Sequence, residues 1–153
     1  MDRNEVTYQV IGLCMRIHST PGPGLLESVY EDALCYELER EGLSFRRQRP
    51  IVVEYGSVRL GHGFRADLVV EGQVLVEIKS IDAIAPVHIK VVLTYLKLTG
   101  LTLGLLINFH TASLRDGIKR IIYSPPMNIS EQHSANSMKD KLVALRIDSN
   151  EEP

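Results

Sequence analysis

Residues 64–80 read FRADLVVEGQVLVEIKS, two apolar runs separated by Glu71-Gly72-Gln73. Each run has the character of a strand, and a three-residue loop with a central glycine suits a hairpin. Ala66, Leu68 and Val70 share one face of the first run, and Val74, Val76 and Ile78 share one face of the second. Joining those faces opposes Val70 to Val74, Leu68 to Val76 and Ala66 to Ile78. The same register sets Asp67 opposite Glu77. Opposed Cβ atoms in such a ladder stand roughly 5 Å apart, where like charges repel.

Two carboxylates facing each other on a mostly apolar sheet call for a positive charge between them. A hard divalent ion supplies it, because Mg²⁺ favours oxygen ligands and takes one or two carboxylates together with substrate phosphate. Lys79, two residues after Glu77, projects from the same face and can reach a phosphate or a metal-bound water. Asp67, Glu77 and Lys79 therefore supply the parts of metal-assisted phosphodiester hydrolysis. The plainer alternative is an exposed sheet face on which Glu and Lys pair harmlessly.

The flanking sequence frames the hairpin. Val6, Val10, Leu13, Cys14 and Ile17 recur at helical spacing and predict a helix over about 4–18. Ser19-Thr-Pro-Gly-Pro-Gly24 breaks it, and a second helix is expected from about 25 to 41, stopped by Gly42. Residues 47–55 contain the β-branched Ile51-Val-Val53 of a strand; 64–70 and 74–78 complete three antiparallel strands. Pro86 to Leu98 reads as a helix with Pro86 in its first turn and Gly100 closing it. Leu101 to Phe109 is nearly all apolar, as in a strand covered on both faces, and 118–123 is a last strand. Residues 124–153 are polar and mixed, apart from Leu142-Val-Ala-Leu145, and are expected to form a loosely ordered tail with at most a helical turn or two. The domain is accordingly placed at 1–123.

The bulk numbers narrow the function classes. A chain of 153 residues, 44% hydrophobic, can bury one real core. Its formal charge is −2; residues 124–153 hold three basic and five acidic groups, so residues 1–123 carry 14 of each sign. A protein coated in positive charge is excluded, and any nucleic-acid surface must be local. Cys14 and Cys35 have no metal-ligand spacing and read as buried free thiols of a reducing compartment. The start, MDRNEVTYQV, lacks the basic and apolar regions of a signal peptide, and no apolar run approaches the ~20 residues of a membrane span. A cytoplasmic protein without a membrane partner is expected.

Several separate motifs, in order, carry a resemblance: GPGLLESVY, GFRADLVVE, VLVEIKS, LTYLKLTGLTLGLLINF and DGIKRI. They resemble the PD-(D/E)XK nuclease superfamily, and more closely its small GxxExxY family, whose name describes Gly24, Glu27 and Tyr30. The likeness covers nearly all of residues 4–123. It implies an α/β fold with a restriction-endonuclease-like core of helix, three-stranded antiparallel meander, helix and strand, preceded here by an extra N-terminal helix. It implies that Asp67, Glu77 and the backbone carbonyl of Ile78 hold Mg²⁺ or Mn²⁺. Lys79 would orient the attacking water or stabilise charge on the phosphate. Glu27 would be the auxiliary carboxylate from the helix, with Tyr30 packed beside it. Taken alone, without the resemblance, Glu27 reads rather as a first-turn carboxylate favoured by the helix dipole.

One position departs from the family, which often has a glutamine one turn before the tyrosine of the later helix. Here that residue is Val91, although Lys90 beside it can contact phosphate. The remaining candidates are substrate contacts. His18 ends the first helix and is either near Glu27 or a structural histidine at the helix end. Arg46, Arg47 and Arg49 either grip a phosphate backbone or neutralise the acidic helix that holds Glu31 and Asp32. Tyr95 either reaches substrate or packs in the core. His62, His88 and His110 read as surface or loop residues, and Asn108 as a residue satisfying backbone at a strand end. The expected function is metal-dependent hydrolysis of phosphodiesters in nucleic acid. The alternative is an inactive nuclease-fold module that binds nucleic acid or protein. A homodimer through an apolar sheet edge near 102–109 or 118–123 is a further expectation.

Overall fold

A computed structural model describes residues 1–60 and 64–126, together with the backbone of Val143–Ala144. Two helices come first, α1 (Arg3–His18) and α2 (Glu27–Arg40). The side chain of Asp2 caps α1 by accepting from the N–H groups of Asn4 and Glu5, and Glu5 bonds back to the Asp2 N–H at 2.7 Å. Strands β1 (Phe45–Pro50), β2 (Val53–Tyr55), β3 (Val58–Leu60), β4 (Arg65–Val70) and β5 (Val74–Lys79) follow. Helix α3 (Pro86–Thr99) leads into β6 (Leu103–Asn108), a short 3₁₀ turn (Leu114–Gly117) and β7 (Ile118–Ile122); Val143–Ala144 form β8.

The main sheet has five strands in the order β1-β4-β5-β6-β7. Among the described strands only β5 and β6 run parallel, so α3 is the crossover between them. The expected hairpin register holds for Leu68 with Val76 and Val70 with Val74. Assigned pairing stops at Leu68, and Ala66 does not join Leu68 and Val70. It lies instead in the cluster with Val69 and Leu75 under α3. The cause is local: the N–H of Ile78 donates to the Asp67 side chain, which ends the regular ladder.

Two corrections concern the strands. The single strand expected over 47–55 is two, because β2 leaves the main sheet to pair with β3 and β8 in a second sheet. The break falls at Pro50, which has no N–H to continue a ladder, and Ile51 N–H donates to Phe64 instead. The apolar run 102–109 is not a free edge. β6 lies between β5 and β7, and Leu103 to Phe109 are all buried. Among the described residues, β1 and β7 are the edges of the main sheet. The tail expectation falls outside the described residues except at 124–126 and at β8, and His62 also lies outside them.

Helices cover both faces. Val10, Leu13 and Cys14 of α1, and Tyr30, Leu34 and Leu38 of α2, pack on Leu68, Val70, Val76, Ile78, Leu105 and Ile107. Val92, Tyr95 and Leu96 of α3 pack on Val69, Leu75 and Leu106. Each such leucine removed from water contributes about 1.5–3 kcal/mol. These two packed layers fix the sheet end at which β4 begins and β5 finishes, and the polar groups gather there.

Candidate active site

Asp67 is the third residue of β4 and Glu77 the fourth of β5, so burial of the flanking apolar residues brings both acids to the sheet. Glu77 is only 6% exposed and Asp67 is half-buried. Glu77 Oε1 accepts from the Asp67 N–H at 3.0 Å, and Asp67 Oδ2 accepts from the Ile78 N–H at 2.7 Å. Each carboxylate thus takes up a backbone donor on the neighbouring strand. These bonds do not cancel the repulsion. Burial and then the charge of Asp67 push the Glu77 carboxyl from 4.5 up to about 8, against the pull of the Asp67 N–H and of Lys79. Asp67 is raised as well, by burial above all, with the nearby Glu31 charge adding and the Ile78 N–H, Lys79 and Gln48 opposing.

Other elements contribute around this pair. Glu27, in the first turn of α2, accepts from the Ser80 N–H at 3.2 Å through Oε1, and its charge also raises Glu77. Ser80 Oγ donates to Leu25 O at 2.7 Å, so the chain just after Lys79 is tied to the start of α2. Gly24 allows that approach with a φ of +104°, a conformation strained for any residue with a Cβ. Tyr30 is 1% exposed and stacks on Phe109 with ring centroids 4.3 Å apart. Its hydroxyl donates to Gly22 O at 2.5 Å and accepts from the Leu25 N–H, holding the PGPG loop down. His18 bonds Thr111 O at 2.8 Å through Nε2, on the same side as Phe109.

On the other face, Glu77, Lys79, His88, Val91, Val92 and Leu106 line a small cavity of about 40 Å³. His88 Nδ1 accepts from the Ala85 N–H at 2.8 Å, so the ring hydrogen is on Nε2. Tyr95, buried in α3, has its hydroxyl raised by burial and by the charges of Glu77 and Asp67. Its ring meets Phe64 edge-on at 6.3 Å. Asn108 clamps the loop after β5 from the end of β6, donating to Ile81 O at 2.9 Å and accepting from the Ile81 N–H at 3.1 Å. Larger depressions of about 680 and 510 Å³ run along α1 beside Tyr8 and Gln9, each with a single carboxylate in its lining. Size alone therefore does not mark the site; convergence of charge does.

The arginines divide. Arg47 Nε donates to Glu31 Oε1 at 2.8 Å, and its NH2 group bonds Asp32, so this guanidinium neutralises α2. Arg46 is exposed on β1 and Arg49 half-buried at its end, while Lys90 is exposed on α3 beside Val91. Three residues of the site were not anticipated. Glu31, Gln48 and His88 sit within it: Glu31 and Gln48 beside Asp67, and His88 beside Lys79. His88 had one legible sign, its place three residues after Ala85 in the first helical turn, where a side chain can reach back to a free N–H.

The chemistry excludes one class outright. Burial pushes the Cys14 thiol up to about 12 and the Cys35 thiol to about 11, so neither is a thiolate nucleophile at neutral pH. Oxygen acids and a lysine at the end of a mixed sheet remain. Residues 4–121 match the PD-(D/E)XK nuclease superfamily. The chain belongs to the PD-(D/E)XK nuclease superfamily. Neither the curated proteins nor the solved structures compared with it gave a match.

Membership in the PD-(D/E)XK superfamily suggests a nuclease-type function and implies a nucleic-acid substrate. The mixed α/β architecture, with five strands in the main sheet and three helices among the described residues, is consistent with that fold. No helix among the described residues is long and apolar enough to cross a membrane. PD-(D/E)XK nucleases typically use divalent metals. Among the described residues no group of three His, Cys, Asp or Glu side chains is disposed to hold an ion. Asp67 and Glu77 offer two carboxylates, which is the number a hydrated Mg²⁺ commonly takes from a protein. Their oxygen chemistry and their mutual repulsion fit such an ion.

Proposed function

We propose that the protein is a divalent-metal-dependent nuclease that hydrolyses phosphodiester bonds in nucleic acid, with its centre at Asp67, Glu77 and Lys79. The observation that carries this reading is the closely set Asp67–Glu77 pair, in which burial and the Asp67 charge hold Glu77 at about 8 in spite of Lys79. Asp67, Glu77 and the carbonyl of Ile78 would hold Mg²⁺ or Mn²⁺. The ion would polarise a phosphoryl oxygen and make water a stronger nucleophile.

The chain's own groups take the remaining roles. Lys79 makes no ion pair with a described residue, so its ammonium is available to a substrate phosphate or to the attacking water. Glu27 holds the Ser80 N–H and through it the backbone on which Lys79 sits. His88 lines the cavity beside Lys79, and with Nδ1 occupied by the Ala85 N–H its Nε2–H is left to donate to a phosphoryl oxygen. Tyr30 serves the site by pinning the loop before Glu27. With Gly24, Glu27 and Tyr30 so arranged, the GxxExxY type is the member of the superfamily that fits best.

A second reading rests on Val91. It lines the cavity beside Lys79 with a hydrocarbon, as an inactive binding module with this fold would tolerate. Such a module binds nucleic acid or a protein equally well with and without divalent metal, and yields no product. The deciding assay is cleavage of mixed DNA and RNA by wild type and Asp67→Ala, with Mg²⁺ or Mn²⁺. Loss of at least ~100-fold in the variant supports the nuclease. Full metal-dependent cleavage by Asp67→Ala would remove Asp67 from the centre.

A further inference from the structure

Two non-glycine residues among those described have a positive φ, Glu71 at 53° and Gln48 at 51°. Glu71 lies in the hairpin turn, where a tight loop requires it. Gln48 lies inside β1, where extended backbone is the rule, and a left-handed conformation is strained for a residue with a Cβ. The side chain shows what the distortion achieves. Gln48 Nε2 is 3.0 Å from both carboxylate oxygens of Glu31 and 3.3 Å from Asp67 Oδ1. Three acceptors surround one nitrogen, so only the amide NH₂ fits, and its two hydrogens suffice for the two carboxylates. The far end of this clamp is fixed, because Glu31 is 6% exposed and held by Arg47 Nε at 2.8 Å.

We propose that Gln48 is a positioning residue for Asp67, bridging it to the buried Glu31 and fixing the direction of its carboxylate. The inference rests on the reading of Asp67 as a metal ligand. With Oδ1 held by Gln48 and Oδ2 by the Ile78 N–H, the carboxylate cannot rotate freely before an ion arrives. Partners of this kind orient ligands, and removing one typically weakens metal affinity by ~10–100-fold. A merely structural role would run the other way. If the left-handed turn served only to bend β1, glycine would serve there better than glutamine.

The intact 153-residue chain, ¹⁵N-labelled and free of metal, separates these roles. The Ile78 amide reports the orientation of Asp67, and it is followed in wild type, Gln48→Gly, Gln48→Glu and Asp67→Ala. Thermal midpoints and Mn²⁺ affinities are measured on the same samples. Gln48→Gly should keep or raise the midpoint, yet move the Ile78 resonance toward its position in Asp67→Ala and weaken Mn²⁺ binding roughly tenfold. Gln48→Glu, equal in length but only an acceptor, should shift Ile78 at least as far. An Ile78 amide unmoved by Gln48→Gly would overturn the proposal. Wild type that takes up no Mn²⁺ would instead sink the metal reading of Asp67, while the Ile78 amide would still decide the role of Gln48.

Discussion

Asp67 and Glu77 hold each other through the backbone: Glu77 accepts from the Asp67 N–H at 3.0 Å, while Asp67 accepts from the neighbouring Ile78 N–H at 2.7 Å. The arrangement satisfies two backbone donors with two side chains and ends the sheet ladder at the candidate site. It also leaves two acids together in a buried setting, and the consequences can be measured.

Stability should fall as pH rises. The folded-state value of Glu77, about 8, lies above its ordinary 4.5, so the native state binds the proton more tightly than the unfolded chain does. The stability from that proton is fully present below about 4.5 and is lost as pH climbs through about 8; the raised Asp67 acts in the same direction. Glu77→Gln removes the ionisation. Chemical denaturation of the variant should show a flatter pH profile and, at pH ~9, a gain over wild type on the order of a few kcal/mol.

Lys79 should separate catalysis from binding. Lys79→Met removes the ammonium but leaves the carboxylates, so cleavage should drop ~100–1,000-fold, as for loss of one transition-state donor. Mn²⁺ affinity should stay within a few-fold of wild type or improve, since a like charge has gone. A parallel loss of Mn²⁺ binding would show that Lys79 builds the site rather than acting in it.

Val91 should be improvable. It lines the cavity of about 40 Å³ shared with Glu77, Lys79 and His88. Val91→Gln would bring an amide to that wall, able to hold Lys79 or a phosphoryl oxygen. Cleavage rate should rise by about tenfold or less, as expected for one added neutral hydrogen bond, with Mn²⁺ affinity unchanged. An unaltered rate in a folded variant would count against the cavity as part of the substrate path.

Gly117 should be intolerant of any side chain. A Cβ there would stand 2.2 Å from the backbone oxygen of Asn108, the residue whose side chain clamps Ile81. Neither backbone can yield cheaply, so Gly117→Ala should cost about 1–3 kcal/mol in chemical denaturation. Because Ile81 follows Lys79 by two residues, cleavage should fall even at temperatures where the variant is folded.

Much of this was legible in the sequence, and the failures have physical reasons. The hairpin could be placed because alternation over 64–80 is strong and a one-residue slip would turn its apolar side chains out. Pro86 and Gly100 marked the ends of α3, since one fits a first turn and the other a helix stop. The division of 47–55 between two sheets was hidden, because β-branched residues signal a strand without saying to which sheet it belongs. Ala66 departs from the face that alternation predicts, because strict alternation cannot foresee side chains ending a ladder. In the sequence Glu31 is one acid of an acidic helix, and its burial depends on where β1 crosses α2. Gln48 gave no sign at all; its backbone conformation comes from tertiary contacts with residues 17 and 19 positions away.

The central claim is that Asp67 and Glu77 form a metal-dependent centre. Its most direct test is a calorimetric titration of Mn²⁺ into wild type and Glu77→Ala at pH 7, repeated with a short nucleic acid present and followed by analysis for cleavage. Binding to the wild type with release of a proton, and loss of both binding and product in Glu77→Ala, is the predicted result. Equal Mn²⁺ binding and equal cleavage by the two proteins would contradict it.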